Sequence, residues 1–331
     1  MKRLLLLHTG GTLGMTRRDG QDTLRPPEEA SELLAGLPEV RSIAEVEARI
    51  LFNLDSSNVG IREWHAIADV IEAEIDHYDG FVVIHGTDTM VYSASALSFM
   101  LSNLSKPVIF TGAQRPLSEI RTDARNNLIS ALELATMDVP EVGIFFDHAL
   151  YRGNRAKKLS IDEFDAFASP NYPTLAEVGL DVTLNDSVIR RPSGLFRVHR
   201  GFSDRVLSLR LTPGMVPDLL DDLVEGKAEA IVLEAFGAGN VPTDDKSLIP
   251  FIERATRKGK IVAICSQALR GAVDLALYEC GRLAAHAGAV SCGDMTVEAA
   301  SVKLMFLLGQ LDSPAKVVKN LIVPLAGEIS G

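Results

Sequence analysis

The chain has 331 residues, of which 47% are apolar and 23% charged, a balance that suits a globular protein with a sizeable core and excludes a disordered or fibrous one. A formal net charge of −11 argues against non-specific binding of nucleic acid. No segment reaches the ~18–20 uninterrupted apolar residues of a membrane-spanning helix, and the length allows two domains at ~100–200 residues each.

The opening "MKRLLLLHTGG" places two basic residues before an apolar run, but Leu4–Leu7 is only four residues long, short of the ~7–15 of a signal segment. Four leucines without alternation suit a strand covered on both faces. Gly10 and Gly11 then permit a sharp turn, so the stretch reads as a strand that delivers Thr9 and Thr12 to the rim of a pocket. Further on, Trp64, Ile67, Val70 and Ile71 form the core-facing stripe of a helix. "GFVVIHGT" (80–87) is a buried-strand pattern, 92–104 a helix, "KPVIFTGA" (106–113) a strand, 122–135 a helix capped by Thr122, and "EVGIFFDH" (141–148) another strand. Strands alternating with helices imply parallel pairing, hence a doubly wound, mostly parallel α/β sheet in a large N-terminal domain spanning 1–188.

The stretch "IRRPSGLFRVHRGF" (189–202) has proline, glycine and scattered charge without period, and the reading places a linker at 189–204. Strand patterns resume at 205–214, 228–240 and 259–268, with helices near 216–225, 246–258 and 295–309. This predicts a smaller α/β domain at 205–331. Cys265, Cys280 and Cys292, an odd number, make no disulfide framework and point to a reducing, cytoplasmic setting.

Several chemistries are excluded. "GGTLG" (10–14) lacks the spacing of a dinucleotide fingerprint, and Asp55 lies too far along to be its acidic partner. No G-K-S/T follows the glycines, no G-x-S-x-G elbow occurs, and the seven scattered histidines with no CxxC pair give no metal signature. What remains is two strand ends, "HTGGT" (8–12) and "HGTDT" (85–89), sharing a histidine, a glycine and paired threonines, with a third ending in "TGAQ" (111–114). Such clusters ordinarily cap helices or close turns, and His8 and His85 are expected to bond within the fold. If the strands are neighbours, however, Thr12, Thr87 and Asp88 converge. A threonine hydroxyl is a poor nucleophile alone, and the loop "YRGNRAKK" (151–158) offers Lys157 or Lys158 as a partner. A lysine desolvated beside a hydroxyl can serve as a base, giving a Thr–Lys–Asp relay.

These segments, with "LDSSNVGIREW", "KPVIFTGAQRPLSEIRTDARNNL" and "HAGAVSCGDMTVEAASVKLMFLLG", resemble the bacterial-type L-asparaginases, and most of all their cytoplasmic type I branch, over nearly the whole chain. The resemblance implies that Thr12 is the nucleophile on the side-chain amide of L-asparagine and that Thr87, Lys158 and Asp88 activate water for deacylation. It implies substrate contacts at Gly11, Asp55, Ser56, Ser57, Gly86, Asp88 and the main chain of Ala113. No cofactor and no metal are implied. The active site is expected near a subunit contact in a homodimer or homotetramer, without membrane or nucleic-acid partners. A departure stands out: the family's lid tyrosine is missing from "TRRDGQDTLRPPEEA" (16–30), where Asp19–Gly20 fits a hairpin turn and Thr16 or Thr23 is left to lend a hydroxyl. The alternatives are a catalytically weakened homologue acting as an amino-acid sensor, and an ammonia-producing amidotransferase subunit, which would carry an extension before its TGGT.

Overall fold

Leu4–Leu7 are fully buried. They lie in β1 (Arg3–Gly10), which pairs in parallel with β2 (Glu45–Leu54) on one edge and β3 (Gly80–Ile84) on the other. A strand flanked on both edges and covered on both faces has no polar side, which is why the leucines do not alternate. Each contributes about 2 kcal/mol of apolar burial. The same logic holds for β3, β4 (Val108–Thr111) and β5 (Val142–Phe146), all buried along their length. Between the strands run α1 (Ile61–Glu74), α2 (Met90–Met100) and α3 (Ala124–Leu134). Trp64, Ile67 and Ile71 form the buried stripe of α1, and the Thr122 hydroxyl accepts the Ala124 N–H at the start of α3.

The computed structural model describes residues 1–17, 24–25, 27 and 29–330. Within it the chain divides into two compact units, Met1–Arg200 and Gly201–Gly331. In the first unit, strands β2, β1, β3, β4 and β5 are parallel, and the sheet continues through three antiparallel strands: β6 (Ala149–Arg152), β7 (Ala176–Val178) and β8 (Val182–Leu184). The reversal from β5 to β6 uses a turn at Asp147, which sits at φ 57°. The register sets the geometry of the functional edge. His8 stands opposite Ile84, and Ile84 opposite Thr111. Gly10 pairs with Leu54 after a shift that follows His8. The segments that follow Gly10, Leu54, Ile84 and Thr111 therefore leave the sheet side by side.

Residues 190–200 run along this first unit. The Arg190 N–H donates to Glu141 (2.6 Å), Arg197–Val198 pairs antiparallel with Leu101–Ser102, and Arg200 bridges to Asp69 (2.7 Å). The second unit is a four-stranded parallel sheet in chain order, β9 (Val206–Arg210), β10 (Ala230–Ala235), β11 (Ile261–Ser266) and β12 (Val290–Ser291). Around it pack α4 (Ile249–Arg257), α5 (Glu279–His286), α6 (Val297–Gln310) and α7 (Pro314–Leu321), with Ile231, Leu233, Phe251, Ile252 and Ile264 in its core. Lys303, fully buried on α6, pairs with the buried Glu328 at 2.5 Å and donates to the carbonyls of Leu321 and Val323. Among the described residues no helix is long and apolar enough to cross a membrane.

Candidate active site

The strand ends meet backbone against backbone, and glycine makes this possible. A Cβ placed on Gly11 would lie 2.6 Å from the Gly86 nitrogen, and one on Gly10 would lie 2.1 Å from the Leu54 carbonyl oxygen. Both residues also sit at positive φ, +86° and +118°, where L side chains are strained. A Cβ on Gly86 would lie 2.7 Å from Ser56 Cβ, and one on Gly112 2.4 Å from the His85 carbonyl oxygen and 3.3 Å from Thr87 Cγ2. Four turns are thus drawn into one cluster: Gly11 abuts Gly86, Gly86 abuts Ser56, and Gly112 abuts Thr87. Thr12 and Thr87 each follow one of the two touching glycines.

Lys158 reaches this cluster from a short antiparallel pair, Lys157–Lys158 against Phe167–Ala168. Successive strand residues point to opposite faces, so only one of the two lysines can address the site. It is Lys158, whose Nζ donates to Thr87 Oγ1 at 2.7 Å and to Asp88 Oδ1 at 2.6 Å. Its side chain is 13% exposed, whereas that of Asp88 is 68% exposed. The ammonium is therefore held against the protein while the carboxylate remains open to an incoming ligand. Hydrogen bonds of this charged kind are shorter and stronger than neutral ones.

The remaining sequence-level candidates fall around this centre. Ser56 is buried and its carbonyl accepts the Thr89 hydroxyl at 2.6 Å, which ties the Ser56 turn to the start of α2. Ser57 is exposed and bonds Asp55 Oδ1 through both its N–H (2.9 Å) and its hydroxyl (2.5 Å), which holds the Asp55 carboxyl below its ordinary range. Ala113 is buried in the turn after β4. Thr9 departs from expectation. It is buried and donates its hydroxyl to the Ile84 carbonyl at 2.8 Å, so it stitches β1 to β3 and does not reach the rim. In the lid segment, Thr16–Arg17 pairs antiparallel with Leu24–Arg25; Asp19, Gly20 and Thr23, with the missing tyrosine's position, lie outside the described residues.

Both turn histidines are buried, and burial pushes each down to about 4. His85 has a complete set of partners. Ser93 Oγ lies 2.9 Å from Nε2 and accepts the Trp64 indole N–H at 3.0 Å, while Nδ1 lies 2.8 Å from the Gly86 carbonyl oxygen. A carbonyl can only accept, so Nδ1 carries the proton and Nε2 receives the serine hydroxyl. The neutral ring holds the Gly86 peptide in place.

Sequence reasoning missed three residues here. Gln114 Nε2 donates to the carbonyls of Ser160 (3.3 Å) and Glu163 (3.2 Å), and its Oε1 accepts the Thr87 hydroxyl at 3.4 Å. Asp123 accepts the N–H groups of Gln114 and Arg115, and Asn127 links Asp123, the Gly112 carbonyl and the Asp147 N–H. The only available signal was "TGAQ" and "TDARNN", where the period of α3 explained Asn127 and the capping rule explained Thr122. As to metals, the one His/Asp group among the described residues with ligand atoms within 4.8 Å of one another is Asp147, His148 and Asp165. It is half-buried to exposed, and His148 Nδ1 already bonds Asp147 at 2.7 Å, which raises the imidazole above its ordinary range.

One threonine is bound to a lysine that also holds an aspartate, at the carboxyl edge of a parallel sheet and beside the turn that carries a second threonine. Comparison with known proteins identifies the family. Residues 3–190 match the model of the N-terminal asparaginase domain, and residues 205–321 that of the glutaminase/asparaginase C-terminal domain. The chain is 38% identical over 334 residues to L-asparaginase 1 of Escherichia coli, covering 99% of this chain and 98% of that one. It is 42% identical over 357 residues to the 60 kDa lysophospholipase of Mus musculus, covering 99% of this chain but 63% of the relative. The thermostable L-asparaginase from Thermococcus kodakarensis superposes with a TM-score of 0.93 at 35% identity, covering 99% of both chains. The chain belongs to the asparaginase family. Within it, the full-length matches ally it with the type I L-asparaginases, which makes it an amidohydrolase of that kind.

Proposed function

We propose that the chain hydrolyses L-asparagine to L-aspartate and ammonia in two stages, with no cofactor. In the first, Thr12 Oγ attacks the side-chain amide carbon. The C–O bond forms, the C–N bond breaks, and the proton lost by Thr12 ends on the departing nitrogen as ammonia. The developing oxyanion is met by backbone N–H groups near Gly11 and Asp88. In the second, water oriented by Thr87, Lys158 and Asp88 attacks the threonine ester: a C–O bond to water forms, the C–O bond to Thr12 breaks, a proton from the water returns to Thr12 Oγ, and aspartate is released. Asp88, exposed beside the lysine, suits the substrate's α-amino group. Ser56 and Ser57 suit its α-carboxylate, with Asp55 holding Ser57. Gly11, Gly86 and Ala113 supply main chain close enough to confine the amide.

The observation that carries this reading is Lys158 bridging Thr87 and Asp88 at 2.7 and 2.6 Å, on the turn that touches Gly11. L-Glutamine is expected as a slower substrate of the same site. A homodimer or homotetramer in the cytoplasm, its three cysteines free, fits the same reading. The test is ammonia release from L-asparagine, L-glutamine and D-asparagine by the wild type and Thr12→Ala. Turnover of L-asparagine that Thr12→Ala abolishes supports the proposal. Tight binding without turnover by the wild type refutes it and makes the chain a sensor.

A further inference from the structure

Thr87 presents a question of hydrogen-bond bookkeeping that the relay alone does not answer. The ammonium of Lys158 can only donate, so at 2.7 Å it occupies one lone pair of Thr87 Oγ1. The hydroxyl proton must then point elsewhere, and the acceptor beside it is Gln114 Oε1 at 3.4 Å. One lone pair of Thr87 remains, free to accept a hydrogen bond from water. The orientation of the Gln114 amide is fixed independently: its Nε2 faces two carbonyl oxygens, Ser160 and Glu163, which can only accept. Those carbonyls belong to the hairpin that follows Lys158. The Gln114 side chain therefore holds both members of the pair, Thr87 by its oxygen and the lysine hairpin by its nitrogen.

The backbone behind it is held as firmly. Both oxygens of Asp123 accept the Gln114 N–H, at 3.1 and 2.9 Å, and the same carboxylate takes the Arg115 N–H at 3.0 Å and Asn127 Nδ2 at 3.1 Å. Asp123 is 6% exposed and Asn127 fully buried. A buried carboxylate with this many N–H donors is a rigid anchor.

We infer that Gln114, clamped by Asp123, is the positioning residue of the deacylation step: it fixes the Thr87 O–H direction and the distance of Lys158. This inference rests on the two-stage hydrolysis proposed above. Without Gln114 the hydroxyl can turn its proton toward the water whose hydrogen bond it should accept, and the water is no longer oriented. Attack on the ester then slows, while the earlier attack by Thr12 is spared.

The experiment uses the full chain with L-asparagine and the variants Gln114→Leu, which removes both contacts, and Gln114→Glu, which keeps an acceptor for Thr87 but repels the two hairpin carbonyls. Each is compared with the wild type for kcat, KM and the mass of the intact protein during turnover. A fall in kcat of about 10- to 100-fold with a parallel fall in KM, so that kcat/KM stays within about threefold of the wild type, is expected. Acyl-enzyme on Thr12 should accumulate in both variants, and hydroxylamine, a stronger nucleophile than water, should restore turnover. Unchanged kcat, or a slowed reaction with no acyl-enzyme and no rescue by hydroxylamine, overturns the inference. If Gln114→Leu lacks a cooperative melting transition, Gln114→Glu is read by the same criteria. A wild type that releases no ammonia from L-asparagine instead refutes the hydrolysis itself, a result the variants cannot imitate.

Discussion

The turns "HTGGT" (8–12) and "HGTDT" (85–89) are nearly the same string and do different work. In each, one threonine is structural: Thr9 donates to the Ile84 carbonyl, and Thr89 to the Ser56 carbonyl. In each, the other threonine sits beside a glycine contact at the rim, Thr12 after Gly11 and Thr87 after Gly86. The assignment follows from the backbone. The first turn makes its bend with two glycines at positive φ, which moves Thr12 beyond the sheet and leaves Thr9 inside it. The second turn needs no positive φ at Gly86. Its Thr87 is instead held from outside, by Lys158 and Gln114. In the proposed reaction the first threonine acts and the second, braced, assists. Letter patterns cannot separate these roles; the hydrogen-bond partner of each hydroxyl does.

The largest expected effect breaks the braced turn. Lys158→Met removes the ammonium that joins Thr87 to Asp88, and should lower kcat by about 10³-fold while leaving the folded state intact. Intact-mass analysis during turnover should show acyl-enzyme on Thr12, because acylation belongs to the other turn. Lys157→Met, on the opposite face of the same strand, should change kcat by less than about twofold. Comparable losses from the two lysines would dissolve the assignment. Next comes Gly11→Ala, which strikes the contact between the turns. Its Cβ would meet the Gly86 nitrogen at a φ unsuited to alanine. A loss of about 3 kcal/mol in denaturant unfolding is expected, together with loss of activity. An active Gly11→Ala of native stability would mean that the two turns do not depend on touching.

Much of this was legible in the sequence. Runs such as Leu4–Leu7 and Phe81–Ile84 carry no alternation because their strands are covered on both faces, so the order of strand and helix in the first unit could be read directly. The two glycine–threonine turns declared themselves through the same physics, since glycine is demanded where backbones touch. The antiparallel extension β6–β8 did not, because its strands are three or four residues long and carry no helix between them to signal a crossover. Nor did the brace of Gln114, Asp123 and Asn127. Its bonds join side chains to backbone groups up to 49 residues away, and such contacts leave no period. The choice of Lys158 over Lys157 came from resemblance, and the hydrogen bonds of Lys158 now supply its reason.

The histidines sharpen the comparison through pH. Each stays neutral when folded down to about 4, against an ordinary value of 6.5. The unfolded chain therefore takes up more protons between pH 6.5 and 4, and stability must fall as pH falls through that window. Each histidine contributes about 3 kcal/mol to the fall. Urea unfolding at several pH values should show the slope, and His85→Gln should reduce it by one histidine's share. Carboxylates held low, such as Asp55 and Asp79, add their loss only at more acidic pH. An unchanged slope in His85→Gln would mean that the imidazole does not stay neutral in the folded turn.

The smallest change in structure is the most discriminating. Thr9→Val and Thr12→Val make the same chemical change three residues apart, replacing a hydroxyl by a methyl of similar size. At Thr9 the hydroxyl is a buried donor to Ile84, so its removal should cost about 1–2 kcal/mol in unfolding with kcat unchanged. Thr12 is only half-buried, and its substitution should leave stability within about 0.5 kcal/mol while abolishing ammonia release. Rate and stability thus move in opposite variants, and the second turn should repeat the pattern: Thr89→Val loses the bond to Ser56 and stability, Thr87→Val loses rate. If Thr9→Val were stable but slow, its hydroxyl would be acting on substrate rather than on Ile84, and the division of labour within each turn would have to be redrawn from the side-chain contacts up.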